Sequence, residues 1–264
     1  MTPAFVARAA VVLVAGLLPG AVFAAPATPP GSAAAPLRSV TFQIEFTSKT
    51  EERVQTSGIQ GHDSMTGGGA GAAGGGSWRT LPATSGAAKG TITVDVIAVT
   101  GDGLVVDIAE TADQRNAPKT RIGISTKGRL VYDVAKATVN EEEIMLLQLL
   151  NRALVEGHDN DGVTWTDDLS VHGFKDVTTY RILSSTDVKP GPVLHMELER
   201  SVSASAGHPF EMTATGKFDY NEQRAIPLDV TLRERRTSVV ASGRQQQVDA
   251  VYTYKLVADS LSRT

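Results

Sequence analysis

The sequence contains no cysteine in its 264 residues. Disulfide bonds cannot stabilise such a chain, so its fold depends on packing. The absence of cysteine also excludes a lipid anchor attached through an N-terminal cysteine. A zinc site is not expected either, because the five histidines are scattered and show no paired-ligand spacing.

An excess of basic residues is absent as well. Lysine and arginine number 25 against 29 aspartates and glutamates, which gives a formal net charge of −4 at pH 7. This mildly acidic balance argues against nucleic acid or an anionic membrane as the main partner.

Long apolar runs are absent after the first two dozen residues. One such run, from Ala9 to Phe23, follows a single positive charge at Arg8 and precedes Ala24. This three-part pattern predicts a cleaved signal peptide at residues 1–24. A retained membrane anchor is the alternative, but the run falls short of the roughly 20 residues that a spanning helix needs. We therefore expect an exported protein, periplasmic or extracellular, that does not span a membrane after cleavage.

Alternation of apolar and polar residues dominates the rest of the chain. Every second residue from Val40 to Phe46 is apolar, and the same period recurs at Ile92–Ala98 and Phe210–Tyr220. Such alternation is typical of strands with one face on a core and the other in water. Turn signals at Gly101-Asp102-Gly103 and Lys127-Gly128 join neighbouring strands. We predict a mainly β (α+β) fold, a long antiparallel meander that forms a curved sheet or open barrel.

One covering helix is predicted within this sheet, from Glu141 to Glu156. Asn140 and Glu143 have the spacing of a capping box, and Gly157 follows as a stop signal. The segment is apolar on several faces, which predicts that it is buried as a lid on the apolar side of the sheet.

The chain is expected to form a single β-rich domain at residues 39–264. A Pro/Ala-rich tether without a core-forming pattern precedes it at residues 25–38. Residues 67–76 read GGGAGAAGGG and have no side chain large enough to pack. We interpret residues 58–77, approximately, as a mobile insertion inside the domain.

None of the candidate catalytic or metal motifs meets its structural requirements. The G-x-G-x-x-G match at residues 69–74 lacks the strand and helix that dinucleotide binding needs. His62, Asp63 and Ser64 are neighbours in sequence and cannot form a hydrolase triad by themselves. The loop at Asp159–Asp161 is rich in oxygen ligands but lacks EF-hand spacing, so calcium binding there stays open. We predict no catalytic residues, no metal ligands and no cofactor.

Two polar features fall on predicted strands. The run Arg233-Glu234-Arg235-Arg236 could meet an anionic partner. Its simpler interpretation is a solvated face, or a charged edge strand that resists aggregation. His195 lies between Leu194 and Met196 and is expected on the polar side of its strand.

The combination of an export signal, a long antiparallel meander, an inserted helix and an apolar concave side resembles the periplasmic lipoprotein-carrier superfamily. The resemblance covers most of Ser39 to Asp259 and concerns architecture, with no diagnostic motif. It implies an unclosed barrel with a helical lid that shelters acyl chains. The low aromatic content, 5% of the chain, and the Gly-rich insertion depart from that pattern. The layout is also similar to that of uncharacterised exported bacterial β proteins, for which no activity is implied.

These observations favour an exported, non-enzymatic binding protein that shelters a lipid or other apolar ligand between sheet and helix. The residues expected to line the ligand are Ile144, Leu147, Leu150, Leu154 and Trp165. The alternative is a structural or protein-interaction module of the cell envelope, with an envelope protein as its partner. A cavity of several hundred cubic ångströms between helix and sheet would favour the first. A hydrolase with a site assembled from distant residues is a third hypothesis that no sequence feature supports.

Overall fold

The computed structural model describes residues 35–56, 77–112, 115–116, 119–125, 130–131, 141–150, 161–168, 170, 173–189, 191–204, 209–240 and 244–263. The proposed signal peptide, most of the tether and most of the Gly-rich insertion lie outside these residues, so their interpretation stays a prediction.

The described residues form 13 antiparallel strands in one sheet, together with one α-helix. This confirms the mainly β fold with a single inserted helix. The strands are β1 (Arg38–Thr56), β2 (Ser77–Thr80), β3 (Thr84–Thr100), β4 (Gly103–Ala112), β5 (Arg115–Asn116), β6 (Thr120–Ser125), β7 (Leu130–Val131), β8 (Thr164–Asp168), β9 (Phe174–Thr186), β10 (Val193–Ala204), β11 (Phe210–Asn221), β12 (Ile226–Val240) and β13 (Arg244–Asp259). Helix α1 (Glu141–Leu150) lies between β7 and β8 in the chain, and a 3-10 helix (Ser260–Arg263) follows β13.

The strand order shows two meanders that meet in the middle of the sheet. It runs β7-β6-β4-β3-β1-β13-β12-β11-β10-β9-β8, with β2 beside β1 and β5 beside β4. β1 and β13, from opposite ends of the described chain, therefore pair at the centre. The described residues of β7 and β8 form the two edges and do not pair with each other, so the sheet is open. The segment that connects these two edges carries α1.

The alternation in the sequence places one face of the sheet in the core. In β1, Phe42 and Ile44 are 0% and 2% exposed, whereas Gln43 and Glu45 are exposed. Apolar side chains from both meanders and four from α1 form one continuous core cluster. The helical members of that cluster are Met145, Leu146, Leu147 and Leu149. The prediction that the helix is buried against the sheet is confirmed for its described residues.

The strands extend beyond the alternating segments. β1 continues through the mostly polar segment from Ser48 to Gln55, and its pairing with β13 runs on to Val54 opposite Arg244. The segment from Ser48 to Gln55 lacks the apolar alternation that predicts a strand. Its backbone is held by hydrogen bonds to a partner strand on each side, since β2 pairs with it at Arg53–Thr56.

An ion pair joins the start of β1 to the end of β13. Arg38 donates from Nε and Nη2 to the two carboxylate oxygens of Asp259, at 3.1 and 2.8 Å. Its Nη1 donates to the backbone oxygen of Arg224 at 2.7 Å. The Asp259 side chain is only 2% exposed, so this bidentate pair is shielded from water.

Glycine allows a close approach between β3 and β4. A Cβ atom at Gly90 would collide with the backbone oxygen of Thr111 and lie 2.6 Å from the Ala112 Cα. Both obstacles belong to the neighbouring backbone, which cannot move aside without distorting the sheet. At Gly101, in the turn between the same strands, a Cβ atom would meet nothing within 4 Å.

We expect Gly90→Ala to destabilise the fold by about 2 kcal/mol or more, because the added methyl group overpacks a backbone contact. Gly101→Ala is the matched control and should change the free energy of unfolding by less than about 0.5 kcal/mol. Urea unfolding followed by circular dichroism measures both. Equal stability of the two variants would show that β3 and β4 are farther apart than described.

Candidate functional site

Helix α1 lies on the apolar face of the sheet over β9, β10 and β12. The space between them is bordered by Met145, Gln148 and Leu149 of the helix, which share one helical face. The sheet contributes Thr178, Tyr180, Leu198, Arg200 and Leu232. The enclosed volume is about 10 Å³, which is the room of one water molecule at most. The side chains named here fill the interface themselves.

The residues predicted to line a ligand are spread around this interface. Leu147 is fully buried, and Ile144 and Leu150 are half-buried. None of the three borders the small space under α1. Trp165 is half-buried in edge strand β8 and stacks on Tyr180, with ring centroids 5.3 Å apart. Leu154 lies outside the described residues. Contact of any of them with a ligand stays a prediction.

A buried ion pair connects α1 to the sheet. Arg200 donates from Nε and Nη2 to the two carboxylate oxygens of Asp176, at 2.9 and 2.8 Å. Its Nη1 donates to Gln148 Oε1 at 2.5 Å and contacts the sulfur of Met145 at 3.4 Å. Both charged side chains are 9% exposed. The guanidinium therefore makes a polar contact between helix and sheet, and Asp176 holds it in position.

Glu234 is a buried carboxylate without a hydrogen bond. It is 3% exposed, and neither of its side-chain oxygens has a hydrogen-bond partner among the described residues. Its neighbours across the strands are Ala214 and Ala250, whose side chains carry no donor. The Nε of Arg236 lies 3.9 Å from Oε1, beyond hydrogen-bond distance. Burial raises the pKa of Glu234 to about 7, and the charge of Arg200 opposes this only in part.

Together, Asp176, Arg200, Glu234 and Arg236 form what we call the buried charge cluster. Sequence analysis missed it. The run around Glu234 belongs to β12, which lies between β11 and β13 and is not an edge strand. Its alternation sends Arg233 and Arg235 to solvent but Glu234 and Arg236 into the core. The sequence did contain a sign of this burial, because Glu234 follows Val230 and Leu232 at alternate positions and therefore points to the same buried face.

A second polar arrangement lies on the solvent face of the sheet. The Nδ1 of His195 lies 2.7 Å from Asp219 Oδ1, and its Nε2 lies 3.0 Å from Thr186 Oγ1. This confirms that His195 occupies the polar side of β10. The hydroxyl–imidazole–carboxylate order is that of a nucleophilic triad. Here the His195 and Asp219 side chains are 38% and 43% exposed. None of the three residues borders the space under α1. We interpret it as a cross-strand link.

Metal binding finds no support in the described part of the chain. No group of three or more histidine, aspartate or glutamate side chains in it is placed to hold an ion. Of the oxygen-rich loop, Asp161 is described and exposed, whereas Asp159 and Asn160 lie outside, so calcium binding there is still open. His62 and the G-x-G-x-x-G match also lie outside the described residues.

Comparison with known proteins gives no family assignment. A scan against protein-family models and a search of curated proteins found no match to this chain. Among the described helical residues, no helix has the length and apolarity needed to cross a membrane.

Glu234 should make stability depend on pH. Its pKa is about 7 in the folded state against an ordinary value of 4.5, so the folded chain holds the proton more tightly. The stability that it contributes is complete below about pH 4.5 and is lost as the pH rises through about 7. We expect Glu234→Gln to remove this loss and to gain up to about 3 kcal/mol over the wild type at pH 8. Urea unfolding of both proteins between pH 5 and pH 8, approximately, tests this. If the free energies of unfolding of the two proteins change with pH in the same way, the raised pKa of Glu234 is contradicted.

Removal of Asp176 should be far more costly than removal of an exposed acid. Asp176→Ala leaves the Arg200 charge buried without its partner, which costs about 3–5 kcal/mol. Glu45→Ala breaks the exposed pair with Lys89, whose side chains are 48% and 66% exposed, and should cost less than about 1 kcal/mol. Chemical denaturation measures both, and similar losses would show that Arg200 is hydrated.

Proposed function

We propose that this chain is an exported, non-enzymatic binding protein that holds a lipid or other apolar ligand against the apolar face of its sheet. The supporting observation is that the sheet is open and that the segment joining its two edges carries the helix that covers it. On this proposal the ligand takes the place of α1. The role would be similar to that of the periplasmic lipoprotein carriers, which the sequence resembles in architecture.

Displacement of α1 is a necessary part of the proposal. The space under the helix holds about 10 Å³, whereas ligand sites usually have several hundred. An acyl chain can enter only where the helical side chains leave. Burial of a large apolar side chain contributes about 2 kcal/mol, and burial of a methylene group about 0.8 kcal/mol. An acyl chain of about ten methylene groups therefore recovers about what the four core residues of α1 lose.

The buried charge cluster supports a movable helix. Arg200 and Asp176 are buried at the helix–sheet interface, and Glu234 has no hydrogen bond. Buried ion pairs often contribute less than apolar side chains of the same volume. An unsatisfied buried carboxylate costs free energy outright. Apolar residues of the same volume at these positions would hold α1 on the sheet more firmly. The charged residues therefore make the helix–sheet interface weaker than an apolar interface of the same size.

The two tryptophans of the chain allow a direct test. Trp78 is 52% exposed, and Trp165 stacks on Tyr180, which borders the space under α1. The variant Trp78→Phe leaves Trp165 as the single reporter. We expect a saturable change in its emission on titration with dodecanoic acid or lysophosphatidylcholine below their micelle concentrations. Mass spectrometry of the purified protein should also find bound lipid.

The matched control is Trp165→Phe, in which only the exposed Trp78 reports. Its emission should stay constant over the same titration. A response of equal size in both variants would indicate general adsorption of the amphiphile. No response in Trp78→Phe, with no copurified lipid, would reject the apolar-ligand proposal.

The filled interface favours a second candidate, a structural or protein-interaction module of the cell envelope. A solid core of this kind needs no ligand to be stable. Such a module should retain an envelope protein in a pull-down from envelope extract while giving no fluorescence response to amphiphiles. Binding of amphiphile without a retained protein would reject it.

A further inference from the structure

The solvent face of the sheet holds a broad groove of about 850 Å³. Residues of β1, β3, β11, β12 and β13 form it. Arg233 and Arg235 border the groove and are exposed, whereas Leu232 and Arg236 of the same strand are buried on the other face. The groove is thus on the side of the sheet opposite α1. Its volume falls within the usual range of ligand sites, about 300–1,000 Å³.

Positive charge predominates in this groove. Lys49, Arg233 and Arg235 border it with exposed side chains. Two acids lie beside them: Asp249 in the lining, and Glu51, which pairs with Lys49 at 2.7 Å. Glu234 also belongs to the lining, but its side chain is buried. The carboxylate of Asp249 is already engaged. Its Oδ1 accepts from Arg235 Nε at 2.7 Å, and its Oδ2 accepts from Gln247 Nε2 at 3.0 Å. A local excess of cations therefore occurs in a chain whose net charge is −4.

The two arginines keep donors available. Within the described part of the chain, Arg233 makes no hydrogen bond or ion pair, and Arg235 is bonded through Nε alone. Protection of an edge strand does not account for them, because β12 lies inside the sheet between β11 and β13. The guanidinium of Arg233 and the Nη groups of Arg235 can therefore donate to a ligand in the same groove.

The spacing of these donors indicates the ligand chemistry. Residues two apart on a strand point to the same face and lie about 7 Å apart. Guanidinium groups bind carboxylate and phosphate oxygens in a bidentate manner. Thr47, Thr213 and Thr215 add hydroxyl groups to the walls. Aromatic side chains are absent from the described lining, so no platform for stacking a base is present.

We infer that this groove is an anion-binding site in which Arg233 and Arg235 hold a phosphate or carboxylate group of a soluble ligand. The proposal does not depend on the apolar-ligand proposal, because Arg233 and Arg235 point to the face of the sheet opposite α1.

The test uses inorganic phosphate and tricarballylate as separate probes. Binding is measured by calorimetry and by the shifts of the arginine Nε–Hε resonances at an ionic strength of about 0.15 M, where the Debye length is about 8 Å. We expect Arg233→Gln to weaken binding of the preferred probe about tenfold, and the double variant with Arg235→Gln about a hundredfold. Arg233→Lys keeps the charge but not the planar fork, so it should weaken binding several-fold. Tighter binding of inorganic phosphate would identify a phosphate group as the ligand's anion, and tighter binding of tricarballylate would identify a carboxylate.

Arg181→Gln is the matched control. It removes the same charge from an exposed side chain of the sheet, 57% exposed, that does not border the groove. Its effect on affinity should stay within about twofold, because charges farther apart than the Debye length are screened. A loss equal to that of Arg233→Gln would overturn the proposal, since only net charge would then matter. Absence of binding by both probes at millimolar concentration would also overturn it.

Discussion

An open antiparallel sheet has an apolar face that must be covered, and this requirement governs the rest of the structure. Two meanders joined by β1 and β13 present a broad apolar surface. Since β7 and β8 do not close the sheet in the described residues, α1 covers that surface from the segment between them. The helix contributes four side chains to a core cluster shared by both meanders. The helix and both meanders therefore share one apolar core.

Charged side chains lie on both faces of the sheet, and β12 carries them on its solvent face and on its buried face. Its outward Arg233 and Arg235 lie in water, where an exposed cation costs little. Its inward Glu234 lies beside alanines and has no hydrogen bond, where a charge is costly. On the same face, Arg200 joins helix to sheet through its hydrogen bonds to Gln148 and Asp176.

Much of the fold could be predicted from local patterns. The period of Val40 to Phe46 identified the buried face of β1, and the turn at Gly101-Asp102 placed β3 beside β4. The polar half of β1, from Ser48 to Gln55, could not be predicted, because its backbone is held by strands distant in sequence. The candidate site was harder. The predicted lining residues fall on α1 and β8, but the contacts under the helix are made by Met145 and Leu149 and their partners on the sheet.

The sequence by itself determined which face of each alternating strand is apolar and where the helix begins, because both depend on residue spacings of a few positions. Only the tertiary structure decided that β12 is an inner strand, that Glu234 lies in the core without a hydrogen bond, and that two arginines share an outer groove. These features depend on strand order and on the register between strands far apart in the chain. Backbone hydrogen bonds can form in alternative registers. Burial of the apolar faces across the whole sheet selects one register, and no short segment contains that information by itself.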